Sequence, residues 1–247
     1  MNDRASGYFE AFVNSRAATI GPQERALMVQ VRASVDAVIP RAQVHWAGSQ
    51  RKGTGIVGSD LDMCVESADP VTEALRRDLR GALERTIGRP AVVKTHVVRV
   101  TGTPKLDIAF ANAGFGGRPL PDLADFHDRR GRQAAARALK LWTRGGGLPR
   151  VSGWALEALV VHLDQPVGRG GLELFQRILG WIEATATPGA LEGVLRAANY
   201  SRWNPLWTSG VPGTLEALRN SARALRKRSP PVEGWRSADD VGRWLSP

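Results

Sequence analysis

Two aspartates one residue apart, Asp60 and Asp62, stand in Gly58-Ser59-Asp60-Leu61-Asp62-Met63-Cys64-Val65, at the head of an apolar segment. Just before them comes Ala47-Gly48-Ser49-Gln50-Arg51-Lys52-Gly53-Thr54, in which a Gly-Ser turn leaves a first apolar segment. Strand alternation sends side chains 60 and 62 to the same face. Carboxylates side by side repel, and burying them unpaired is costly. A divalent cation removes that cost. Mg²⁺ takes a few carboxylate oxygens at about 2.0–2.1 Å and fills its other positions with water and substrate phosphates. Gly48, Ser49 and the nearby backbone N–H groups offer hydrogen bonds to such phosphates.

A third aspartate belongs with them. Pro104-Lys105-Leu106-Asp107-Ile108-Ala109-Phe110 is a short apolar run carrying one carboxylate, preceded by the turn-like Thr101-Gly102-Thr103. The β-branched run 92–100 before that turn reads as its hairpin partner. Asp107 has no salt-bridge mate within its own segment. Beside the Asp60/Asp62 strand it completes a three-carboxylate cluster able to hold two Mg²⁺ (or Mn²⁺) ions about 3.5–4 Å apart. That arrangement suits in-line attack of a hydroxyl on a nucleotide α-phosphate, with pyrophosphate leaving. Asp-x-Asp alone is commonly a capping or turn pair. The ordered set of Gly-Ser, Arg-Lys-Gly-Thr, Ser-Asp-Leu-Asp and a later Leu-Asp-Ile is much more specific.

With these motifs, over roughly residues 20–165, the chain resembles the nucleotidyltransferase superfamily of DNA polymerase β. The Gly-Ser-x-x-x-Gly-Thr form, Ala138-Leu139-Lys140-Leu141-Trp142 and Ser152-Gly153-Trp154-Ala155-Leu156-Glu157 look most like the oligoadenylate synthase and cyclic GMP–AMP synthase branch. Its bacterial members are the CD-NTases of anti-phage signalling. The resemblance implies that Lys140 binds the donor's β/γ-phosphates, that Ser152 touches the triphosphate and that Trp154 stacks on the base. Trp154 replaces a frequent tyrosine, and packing in the core is nearly as good an account of it. Ser152 by itself also reads as a helix N-cap.

The elements that must position these residues follow from patterning. Helices are predicted over 4–16, 22–39 and 70–87, and strands over 42–47, 60–66, 91–100 and 105–111. A Gly- and Pro-containing connection, 112–128, precedes helices at 129–144, 152–164, 171–186, 188–198, 213–228 and 237–245. The expectation is an α+β fold: a polymerase-β-type nucleotidyltransferase lobe with a small mixed sheet and helices, then a helical C-terminal lobe, with a cleft between them. The division is placed at 1–112 and 113–247.

Composition sets the remaining bounds. The chain has 247 residues, 43% of them hydrophobic, and a net charge of +10. This balance attracts polyanions, whether nucleoside triphosphates or nucleic acid. No apolar run approaches the ~20 residues of a membrane span, and the N-terminus lacks a secretory signal. The single cysteine, Cys64, fits a reducing cytoplasm and reads as buried filler on the aspartate face. His45, His96, His127 and His162 are scattered, without metal-ligand spacing. From Arg129 to Arg150 there are seven basic residues and no acidic ones, mostly a solvated helix face. Arg219, Arg223, Arg226, Lys227 and Arg228 make a second basic strip, suited to an RNA or DNA activator or acceptor.

The favoured expectation is a metal-dependent nucleotidyltransferase that condenses ATP or other nucleoside triphosphates into a cyclic or short linear oligonucleotide second messenger. The alternative keeps the chemistry and changes the acceptor to a tRNA 3′ end, a protein or an antibiotic hydroxyl. A non-catalytic nucleic-acid-binding module ranks last, because all three carboxylates are present.

Overall fold

Alternation of buried and part-buried residues marks the two central strands. The computed structural model describes residues 3–95, 97–111, 123–145, 148, 151–185, 187, 189–190, 193–194, 211–228 and 234–246. Most of the expected 112–128 connection, most of the 188–198 helix, Trp203, Trp207, His96 and Arg150 lie outside them. The chain divides into two compact units, Ala18–Pro119 and Met1–Ala17 with Leu120–Pro247.

The first unit is a five-stranded sheet with helices on one face. Its strands are β1 (Gln43–Trp46), β2 (Leu61–Glu66), β3 (Ala91–Val93), β4 (Val97–Val100) and β5 (Leu106–Phe110), in the order β1-β2-β5-β4-β3. Only β2 and β5 run parallel; the other neighbours are antiparallel. The run expected as one strand over 91–100 is two, because the chain leaves the strand after Val93 and β3 pairs back antiparallel onto β4. Leu61, Met63, Val65, Leu106, Ile108, Phe110, Val98 and Val100 point into the core. There they meet Leu27, Met28, Val31 and Val35 of α2 (Pro22–Val38) and Leu79 and Leu83 of α4 (Glu73–Ile87). Each such side chain contributes about 1.5–3 kcal/mol by leaving water. Helix α4 starts where Thr72 Oγ1 accepts the Leu75 N–H at 3.2 Å and stops at Gly88, φ +71°. The alternate residues, Asp62, Cys64, Asp107, Ala109 and Arg99, occupy the sheet face that these helices leave uncovered.

The second unit is helical: α1 (Asp3–Ser15), α5 (Leu123–Phe126), α6 (Arg130–Gly145), α7 (Gly153–Leu163), α8 (Gly171–Ala184), α9 (Val211–Lys227) and α10 (Ala238–Leu245). Helix α1 groups here rather than with the sheet, where the sequence division had put it. Ala5, Phe9 and Val13 form its buried stripe, and the Phe9 ring lies 5.7 Å from Phe175 of α8. Asn14 accepts a hydrogen bond from Arg137 of α6, fixing the end of α1 to the same core. No described helix is long and apolar enough to cross a membrane.

Candidate active site

Asp62 and Asp107 are register partners across the parallel β2–β5 pair, both on the uncovered face. Asp60 lies one residue before β2, beside Lys105, where the Leu61 N–H donates to the Lys105 carbonyl at 2.8 Å. Asp60, Asp62 and Asp107 therefore lie at or just before the starts of two adjacent strands.

The Gly-Ser turn is fitted to Asp62. The Ala47 N–H donates to the Asp62 carbonyl at 2.8 Å, and the chain then enters a single helical turn, α3 (Gly48–Lys52). Gly48 has φ +56°, and a Cβ there would stand 2.0 Å from Asp62 Oδ2. Only glycine satisfies both the left-handed backbone and the close approach of the carboxylate. The Ser49 carbonyl accepts from the Thr54 and Gly55 N–H groups at 2.9 and 3.1 Å, closing the turn. Gly48 and Ser49 are thereby held next to Asp62.

Sequence reasoning missed the cations of this cluster. Arg99 Nε and Nη2 each donate to Asp107 at 2.6 Å, a bidentate pair with side chains 28% and 16% exposed. Lys105 Nζ lies 2.5 Å from Asp60 Oδ2. Arg99 and Asp107 are opposite each other in the β4–β5 ladder. Equal steps outward from Thr103, back along β4 and forward along β5, lead to both, which is the signal that could have found the pair. The hydrogen bond to Asp107 raises the Arg99 pKa, burial opposes this, and the charges of Asp107, Asp60 and Asp62 add to the rise. Arg89 secures the turn by donating to the Thr101 and Pro104 carbonyls at 2.7 and 2.5 Å.

Three carboxylates on one face offer the hard oxygen donors that Mg²⁺ or Mn²⁺ requires. Their chemistry fits such an ion. Among the described residues, however, no group of three His, Cys, Asp or Glu side chains is already converged as a metal cage. The reason is visible in the pairing: Asp107 is turned to Arg99 and Asp60 to Lys105. Cys64 follows Asp62 on the same face, half-buried. Burial first, then the Glu66 charge, pushes its thiol pKa up against smaller opposing effects of Arg51 and the Ala111 N–H, so it is no thiolate nucleophile.

Lys140, Ser152 and Trp154 come together in the helical unit. Lys140 Nζ pairs with Glu157 Oε1 at 2.8 Å, the side chains being only 7% and 2% exposed. The anion expected for this buried lysine is thus present within the protein. A Cβ on Gly153 would come 3.1 Å from Lys140 Cε, so the glycine makes room for the lysine at the start of α7. Ser152 occupies the N-cap position, and among the described residues its buried Oγ has neither a cap bond nor another hydrogen-bond partner. Trp154 is partly buried and packs against the helical core. The solvated-face expectation for 129–150 fails at two arginines. Arg132 is buried and pairs with Asp164 at 2.7 Å, and burial lowers the Arg137 pKa.

No protein-family model and no curated protein matches the sequence. Solved structures do. The Cid1 poly(U) polymerase bound to Mg and 3′-dATP superposes with a TM-score of 0.71 at 12% identity, over 99% of each chain. The GLD-2/RNP-8 complex gives 0.70 at 12% identity over 98% of each chain. A cytoplasmic RNA terminal U-transferase gives 0.57 at 14% identity, over 76% of this chain and 72% of that one. The fold is that of the polymerase-β-type nucleotidyltransferases. The parallel pairing of β2 with β5 is what brings Asp62 level with Asp107.

Proposed function

We propose that the protein is a nucleotidyltransferase, dependent on Mg²⁺ or Mn²⁺, that transfers nucleotides from nucleoside triphosphates to the 3′ hydroxyl of an RNA. The observation that carries it is the register pairing of Asp62 with Asp107, with Gly48 packed against Asp62. RNA is favoured as the acceptor because the full-length structural likenesses are to a poly(U) polymerase and to GLD-2. They support the alternative acceptor of the sequence analysis over its first choice, the oligonucleotide signal.

Asp60, Asp62 and Asp107 would hold the divalent ions, which polarise the α-phosphate and offset the charge of the departing pyrophosphate. Asp107 would help take the proton of the 3′ hydroxyl as its oxygen attacks the α-phosphorus. The bond to the pyrophosphate oxygen breaks, and pyrophosphate departs. Ser49 and the N–H groups of its turn hydrogen-bond the donor phosphates. Lys140 would bind donor phosphate oxygens in exchange for the Glu157 carboxylate, and the buried Ser152 Oγ would supply a hydroxyl. Trp154 offers a face for the base. The reaction runs in a reducing cytoplasm, consistent with the single free Cys64.

A second reading, a CD-NTase-like synthase of an oligonucleotide second messenger in anti-phage defence, rests on the Gly-Ser-x-x-x-Gly-Thr form together with Lys140 and Ser152. One experiment separates the two. Protein, Mg²⁺ and each labelled nucleoside triphosphate are incubated with an RNA ending in a 3′ hydroxyl, with the same RNA ending in a 3′-deoxynucleotide, and without RNA. Extension of the first RNA alone supports terminal transfer. Small phosphatase-resistant products formed without RNA support the synthase. Absence of incorporation in every tube overturns both.

A further inference from the structure

Two of the three carboxylates are paired with cations among the described residues: Asp107 with Arg99 and Asp60 with Lys105. Both cations are placed by the backbone. Arg99 is the ladder partner of Asp107, and Lys105 precedes Asp107 by two residues, level with Asp60. The Arg99 fork spends both Asp107 oxygens on guanidinium N–H bonds, and Lys105 takes Asp60 Oδ2. A divalent ion approaching Asp107 and Asp60 meets two carboxylates already turned to other cations.

We propose that Arg99 and Lys105 are internal counter-ions of the carboxylate cluster, and that loading a divalent ion is an exchange in which these two side-chain cations give up Asp107 and Asp60. This deepens the nucleotidyl-transfer reading and rests on it. The two residues are positioning residues. Without metal they cancel the repulsion that would otherwise spread the aspartates. They also weaken metal binding, because each pair must open before its carboxylate turns to the ion. Once displaced, both cations remain beside a site that receives polyphosphate, where their charge stays useful.

The test measures metal binding directly. Free Mn²⁺ is followed by its electron paramagnetic resonance signal during titration of the full chain, as wild type, Arg99→Met, Lys105→Met and Asp62→Asn. Thermal melts are run with and without Mn²⁺. Opening a charge-assisted pair is worth about a tenfold change in affinity, so each methionine variant should bind Mn²⁺ roughly tenfold tighter than wild type. Arg99→Met should melt lower without metal and recover with it. Lys105, 35% exposed, is replaceable without threat to the core and carries the test alone if Arg99→Met does not fold. Unchanged or weakened Mn²⁺ affinity in the methionine variants, with Asp62→Asn abolishing binding, overturns the exchange and leaves the nucleotidyl-transfer reading intact. Wild-type Mn²⁺ binding that is indifferent to Asp62→Asn overturns both.

Discussion

Asp107 is gripped by Arg99 through two hydrogen bonds of 2.6 Å, while its register partner Asp62 is approached from the other side by the Gly48 turn. Asp107 is thus gripped by a guanidinium across the ladder, while Asp62 stands against the backbone of the Gly48 turn. Removing each has a different consequence.

Asp62→Asn and Asp107→Asn should both abolish nucleotide transfer, since each removes a charge on which the two-metal chemistry depends. Their stabilities should diverge. Asp62→Asn relieves carboxylate repulsion and leaves stability unchanged or slightly raised without metal. Asp107→Asn takes the charged acceptor from a part-buried Arg99 and should cost about 1–2 kcal/mol. Urea melts alongside a gel assay of product check both; near wild-type turnover in either variant refutes its place in the site.

Gly48→Ala and Gly58→Ala form a matched pair. Both glycines have positive φ, +56° and +77°, so alanine at either should cost about 1–2 kcal/mol. A Cβ at 58 meets open space, whereas at 48 it collides with the Asp62 side chain. Gly58→Ala should therefore keep turnover once its lower melting point is allowed for. Gly48→Ala should lose turnover at temperatures where it is fully folded.

The difference between what was legible and what was not follows the range of the interactions. Period-two alternation and the turn residues before Asp60 and Asp107 are local, so the aspartate strands and the placement of β5 beside β2 could be anticipated. The break between β3 and β4 was hidden because 92–100 is continuously β-branched apart from Lys94, His96 and Arg99. Arg99 was overlooked as a mate for Asp107 because pairing depends on the register of two strands, not on the composition of one. Lys140 stands out in an apolar stretch, but Glu157 lies 17 residues away and meets it only through α6–α7 packing. The affiliation of α1 was equally invisible, since Phe9 meets Phe175 only in the folded chain.

Lys140 and Glu157 form a buried pair, so single and double substitutions should differ in sign. Lys140→Ala takes the ammonium away from a buried carboxylate and should cost about 3–5 kcal/mol. Lys140→Met with Glu157→Leu removes both charges at similar volume and should be near neutral or stabilising. If Lys140 also serves the donor triphosphate, this folded double variant should have a raised KM for nucleotide with a smaller change in kcat. An unaltered KM would confine Lys140 to a structural role.

Cys64 gives the pH prediction. Its folded-state thiol is raised above the ordinary 9.0 by burial and by Glu66. A raised pKa means the folded state holds its proton more tightly than the unfolded chain. The associated stability is intact below pH 9.0 and is lost as pH climbs through the folded value. Cys64→Ala should flatten the alkaline limb of a melting-temperature profile and leave neutral pH unaffected. Thiolate absorbance in the folded protein should rise only above the ordinary thiol range.

The basic strip on α9 is partly neutralised from within the helical unit. Glu183 of α8 lies 3.4 Å from Arg223 and 2.5 Å from Arg226, and the hydrogen bond from Arg226 leads the causes that lower its pKa. Replacing Arg219, Arg223 and Arg226 together with Gln should still flatten the salt dependence of RNA binding, by about 0.7–0.9 in log–log slope for each phosphate no longer neutralised. The change should fall short of three phosphates, because two of these arginines already share a carboxylate. Glu183→Gln makes the opposite prediction. It releases both arginines, so RNA should bind more tightly at low salt and with a steeper slope. Filter binding of a short RNA across a salt series reads both variants against wild type. A Glu183→Gln slope equal to wild type, together with an unaltered triple variant, assigns the strip to solubility and moves the RNA path elsewhere on the protein.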